Sequence, residues 1–153
     1  MDAAYFAVTA SEDSGVVIRN SQREVLVAAA RAYTNIAYVT MAETLAARDG
    51  VLLATEQGAT RVIPEVDNLL VANLIRSEGG FRSVISGIWH EIRELSSVFG
   101  AFDVSFVHGE GNEAAHRCAS MPSEGSPLIS WSGLLPVWLA EIAEKDCNDS
   151  IIE

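Results

Sequence analysis

The chain reads as one α/β domain, a mixed β-sheet covered by helices. Three observations predict this. Three β-rich runs near the N-terminus are joined by turn signals. Beyond them, strand-like and helix-like segments alternate. The 153 residues, 49% of them apolar, amount to about one domain with material for a core. Hairpin-linked strands followed by strand–helix alternation call for both antiparallel and parallel pairing, with helices on the faces.

The elements follow in order. Residues 2–9 form a first strand, and 10–14 a polar loop. Residues 15–20, GVVIRN, form a second strand, and 25–34 a third. The turn residues between these two make a hairpin. A long helix covers 39–57 and stops at Gly58. Residues 61–66 form the next strand, despite Pro64, which removes a ladder donor. Asp67 is placed to cap a helix running to Ser77. Another helix covers 84–98, and a last strand 103–107. Asn112 is placed to cap a short helix through Ala119. Residues 121–133 read as loop, and 134–146 as an amphipathic terminal helix.

Charge and composition narrow the function classes. The net charge is −11, with a single lysine, Lys145, and scattered arginines. Non-specific nucleic-acid binding needs clustered Lys and Arg, so a polyanionic ligand would need metal ions to mediate contact. No apolar run approaches the roughly 20 residues of a membrane span, and the N-terminus lacks a signal-peptide layout. A soluble intracellular protein is expected, with nucleus and cytoplasm undistinguished. Cys118 and Cys147 lack metal-ligand spacing and read as ordinary thiols.

Three acids stand in or beside apolar segments: Asp2, Glu43 and Asp67. An unpartnered buried carboxylate costs several kcal/mol, and three converging ones would make a cation site. On a helix, Glu43 groups with Val39, Ala46, Ala47, Gly50 and Ala54, small residues that let the helix approach a sheet. A partly exposed glutamate is the equal alternative. Asp67 falls at a strand's carboxyl end, where open α/β sheets place ligands, although a plain helix cap accounts for it as well. Asp2 taken alone reads as a solvated terminal residue.

A second cluster runs His108-Gly-Glu110-Gly-Asn112-Glu-Ala-Ala-His116. His108 ends a strand and His116 lies on the following helix, so the two rings can meet near a metal, or His116 can be a surface residue. His90 has no partner motif and reads as structural or exposed. There is no nucleophile elbow, phosphate-binding loop, dinucleotide turn or zinc spacing. Hard oxygen ligands favour Mg²⁺ or Mn²⁺.

The order of these residues resembles the ribonuclease H-like fold: Asp in a first strand, Glu in the first long helix, Asp ending the fourth strand, then Asn-x-x-x-His. More closely, GVVIRN, MAETLAARDGVLLATEQG, RVIPEVDN and FVHGEGNEAAHRCAS are similar to the reverse-transcriptase-like, ribonuclease H type 1 domains common in plant genomes. The resemblance implies a five-stranded mixed sheet flanked by helices, with the first strand truncated. It implies a domain over residues 1–120, with residues 121–153 a C-terminal tail. It implies metal ligands Asp2, Glu43 and Asp67 holding two Mg²⁺ (or Mn²⁺) ions, with His116 at the position of a fourth acid. His108 and Asn112 would be auxiliary. The implied activity is hydrolysis of the RNA strand of RNA–DNA hybrids. Arg23 occupies a turn position where the family often has glycine.

Two other readings stand beside this one. The first is a catalytically degenerate module of the same fold, derived from a mobile element, that binds nucleic acid or protein. The second is an unrelated interaction domain that uses Trp138 of the terminal helix as an anchor for a protein partner, unless Trp138 packs on its own domain.

Overall fold

The computed structural model describes residues 3–10, 13–33, 39–77, 84–107, 112–122 and 128–151. Three strands form a meander: β1 (Ala3–Ala10), β2 (Asp13–Asn20) and β3 (Val25–Ala32). Helix α1 (Val39–Glu56) crosses to β4 (Arg61–Val66), followed by α2 (Leu69–Arg76) and α3 (Val84–Ser96). Then come β5 (Ala101–Phe102), β6 (Ser105–Phe106), α4 (Glu113–Ala119), β7 (Leu128–Ser132) and α5 (Val137–Ile151). The sheet order is β5-β4-β1-β2-β3-β7, with β6 also on β4. β1, β2, β3 and β7 pair antiparallel in turn, while β4 runs parallel to β1, β5 and β6. This is the mixed α/β sheet flanked by helices that the sequence predicts.

Among the described residues the sheet has seven strand segments rather than five. Pro64 explains one of the two extra pieces. On β4, Thr60, Val62 and Val66 accept backbone bonds from Gly100, Asp103 and Val107, so the even-numbered residues face β5 and β6. The missing Pro64 N–H falls on that side, level with the gap between β5 and β6, and the expected last strand is cut in two. The other extra piece is β7, which sits in the stretch expected to be loop. It is a short edge strand of alternating exposure, and its brevity and its two serines hide it in the sequence. β1 has eight residues, as β2 and β3 do, so its described part is not shorter than its neighbours.

Strand alternation divides the core. Ala4, Phe6, Val8, Val16 and Ile18 face α1 and α3, whereas Ala7, Val17, Ala28 and Ala30 face α4 and α5. Small residues set both helix distances. A Cβ at Gly50 of α1 would lie 2.5 Å from the Phe6 ring. A Cβ at Gly15 of β2 would lie 2.0 Å from the Ala115 carbonyl oxygen of α4. Backbone therefore rests on backbone where α4 crosses β2.

Two local details have a sequence explanation. Arg23 closes the β2–β3 hairpin at φ 67°, the left-handed conformation that favours glycine. Its guanidinium lies 4.6 Å from the Tyr5 ring centroid and 3.6 Å from Glu65. A buried ion pair, Arg19–Glu65 at 3.1 Å, joins β2 to β4 on the α4–α5 face. Among the described residues, no helix is long and apolar enough to cross a membrane.

Candidate active-site cluster

The site is assembled at the carboxyl end of β4. The parallel register pairs Val8 with Val66, so the next residues, Thr9 and Asp67, lie side by side. Asp67 is not the cap of α2, as the sequence suggested. Asn68 takes that role, its Oδ1 accepting the N–H groups of Leu70 and Val71 at 2.9 and 3.3 Å. Asp67 is thereby released toward α4.

Helix α4 brings two side chains to it. Asn112 is fully buried; its Nδ2 donates to the Val8 carbonyl at 2.9 Å and to Asp67 Oδ2 at 3.2 Å. It makes no side-chain cap on its own helix, contrary to expectation. His116, four residues on and hence on the same face, places Nε2 2.9 Å from the same Asp67 oxygen. Its Nδ1 lies 3.0 Å from Thr9 Oγ1. Thr9, Asp67, Asn112 and His116 thus form one hydrogen-bonded cluster across β1, β4 and α4.

Helix α1 adds Glu43, half-buried, with Oε2 shielded from water and without a hydrogen-bond partner among the described residues. Burial, then the charge of Asp67, pushes its carboxyl up to about 7, against opposing contributions from Asn68 and His116. Burial acts to raise Asp67 too, but the hydrogen bonds from His116 and Asn112 outweigh it and hold that carboxyl below its usual range. The hydrogen bond to Asp67 raises His116 above the ordinary histidine value, against its burial, with the charges of Asp67, Glu113 and Asp146 adding to it. These shifts favour the pairing of an Asp67 carboxylate with a His116 imidazolium, and make the Glu43 carboxyl harder to ionise than an exposed one. With the ring charged, Nε2–H donates to Asp67 and Nδ1–H to Thr9.

Of the predicted site residues, the structure brings together Glu43, Asp67, Asn112 and His116. Asp2 and His108 lie outside the described residues. The first described residue of β1, Ala3, pairs with Arg61 at the opposite end of β4 from Asp67. Thr9 lies six positions beyond Ala3, about 20 Å along an extended strand. The β1 side chain beside Asp67 is therefore a threonine. Sequence reasoning missed Thr9, whose only signal is the β1–β4 register, invisible before folding.

The described residues do not fit a two-ion centre. The Asp67 oxygen nearest His116 is already occupied twice, and the described neighbour on β1 is a hydroxyl. Among the described residues, no group of three or more His, Cys, Asp or Glu side chains is arranged to hold a metal ion.

The other candidates have ordinary structural roles. Trp138 packs on its own domain, its ring edge-to-face with Trp131 at 5.8 Å and beneath Arg117 at 5.9 Å. Cys118 is buried under α5, and burial pushes its thiol up to about 12. His90 is exposed, its ring 4.8 Å from that of Trp89.

Comparison with known proteins agrees with the architecture. A family model described as reverse transcriptase-like matches residues 1–122. Ribonuclease H1 from the halophilic archaeon Halobacterium salinarum superposes with a TM-score of 0.69 at 18% identity, over 78% of this chain and 96% of that one. The N-terminal ribonuclease H domain of a Mycobacterium tuberculosis protein gives 0.67 at 19% identity, over 76% and 91%. LC11-RNase H1, solved in complex with an RNA/DNA hybrid, gives 0.66 at 14% identity, over 77% and 93%. No curated protein matches the chain in sequence. At these identities the structural likeness establishes the fold.

Proposed function

The chain belongs to the reverse transcriptase-like family, and we propose that it is a nucleic-acid-binding module of ribonuclease H-like fold whose hydrolysis of RNA–DNA hybrids is attenuated. The observation that carries this reading is the state of Asp67. One of its oxygens accepts hydrogen bonds from both His116 and Asn112, and the His116 ring, when protonated, supplies the positive charge that a cation would otherwise bring. Hybrid is the favoured ligand because similarly folded proteins, LC11-RNase H1 and a foamy viral protease-reverse transcriptase, were solved in complex with it. With a net charge of −11, recognition rests on A-form shape and 2′-hydroxyl contacts, and affinity is weak.

A second reading, metal-dependent hydrolysis, is favoured by Glu43 alone. Its partnerless buried Oε2 and its repulsion by Asp67 mark a place short of positive charge. That reading needs a third carboxylate for Mg²⁺ or Mn²⁺ beside Asp67, where the described residue of β1 is Thr9.

One experiment separates the two. Labelled RNA–DNA hybrid is incubated with the protein in Mg²⁺ or Mn²⁺ while anisotropy reports binding and gel electrophoresis reports cleavage. Binding with little cleavage supports the attenuated module. Efficient cleavage that disappears in Asp67→Asn establishes the hydrolase instead. Absence of hybrid binding by folded protein refutes both.

A further inference from the structure

Helix α4 carries Asn112 and His116, yet it has only seven residues and its own N-cap side chain is turned away from it. A short helix with uncapped N–H groups is a poor platform for two aligned side chains. Its caps come from elsewhere. Asp146 of α5, only 1% exposed, accepts the Glu113 N–H on Oδ1 at 3.1 Å and the Ala114 N–H on Oδ2 at 2.8 Å. The sequence hides this, because Asp146 is one of five acids after residue 140 and nothing local sets it apart.

The placement follows from helix periodicity. Leu139 and Ala143 of α5 are buried against Ala114, Ala115 and Cys118. Asp146, seven residues after Leu139, continues the same face and lands on the first turn of α4. We infer that Asp146 is a positioning residue of the cluster: by capping α4 in place of Asn112, it frees Asn112 to bind Val8 and Asp67 and fixes the helix on which His116 meets Thr9. Residues beyond 122, where the family match ends, are then part of the site. The inference takes the Thr9–Asp67–Asn112–His116 cluster as the functional centre, as in the reading above.

The test uses the full chain, isotope-labelled, without ligand. NMR reports the contact between the His116 ring and the Thr9 methyl, the amide shifts of Glu113 and Ala114, and the contacts of Leu139 with α4. In Asp146→Ala the His116–Thr9 contact weakens and both amides move upfield, while the Leu139 contacts persist. Asp146→Asn keeps one acceptor oxygen and restores the contact in part. In a parallel binding arm, Asp146→Ala lowers hybrid affinity about fivefold, the equivalent of one lost cap. An unchanged His116–Thr9 contact in folded Asp146→Ala overturns the inference. So does loss of the Leu139 contacts in both variants, which would make Asp146 a general anchor of α5. Wild-type protein that fails to bind hybrid refutes the proposed function and leaves the NMR result standing.

Discussion

Replacing Glu43 with glutamine isolates the electrostatic imbalance of the site. Burial, reinforced by the charge of Asp67, carries the Glu43 carboxyl from 4.5 to about 7. At 1.36 kcal/mol per pKa unit this corresponds to at most about 3 kcal/mol. Glu43 is only half-buried, so solvent screening reduces the figure to about 1–2 kcal/mol. The sign follows from linkage. A carboxyl raised on folding binds protons more tightly in the native state. Its contribution is most favourable below the unfolded value and is lost as pH rises through about 7. Glu43→Gln removes the charge and keeps the shape. It should therefore stabilise the protein by about 1–2 kcal/mol near pH 8, or roughly 3–6 °C in melting temperature, and do almost nothing near pH 4.5. The assay is thermal or urea denaturation of both proteins across that range. A stability difference independent of pH would refute the reasoning, because the carboxylate would then carry no penalty. Repeating the series with Mg²⁺ probes the second functional reading: a cation that binds at Glu43 raises the wild-type melting temperature near pH 8 and leaves the variant unmoved.

Three further outcomes are expected. His116→Asp replaces a hydrogen-bond donor with a third carboxylate beside Asp67 and Glu43. It should cost about 2–3 kcal/mol without metal, and Mn²⁺ should recover more stability in the variant than in wild type; equal Mn²⁺ responses in calorimetry would contradict this. Arg19→Met leaves Glu65 buried with only the longer Arg23 contact and should cost about 3–5 kcal/mol, whereas pairing it with Glu65→Leu should recover most of the loss in chemical denaturation. Gly15→Ala drives a methyl into the α4 backbone and should cost about 3 kcal/mol or more. It should also displace His116 from Thr9, visible as a change in the imidazole NMR signals.

Much of this protein is legible along the chain because local chemistry decides it. Apolar alternation marks β1 to β4, helical spacing marks α1 and α3, and Gly58 at φ 70° ends α1. The small face of α1 around Glu43 foretells close packing on the sheet, which Gly50 against Phe6 bears out. Pro64 announces a flaw in its ladder, and Arg23 an unusual turn. Strand β7 escapes because five residues, Leu, Ile and Trp among two serines, are too few to establish a strand period.

The sequence by itself determined the α/β class, the order of most elements, and that Glu43, Asp67, Asn112 and His116 are worth watching. Tertiary structure alone decided how those side chains are used. Each of Asp67, Asn68 and Asn112 is chemically able to cap a helix, and composition cannot say which will. Folding assigned capping to Asn68 and Asp146, and turned Asp67 and Asn112 toward each other. Thr9 entered the site through strand register, and Asp146 through the face on which α5 docks. Both depend on pairings between residues far apart in sequence. Local propensity does not encode such pairings, and only the packed sheet fixes them.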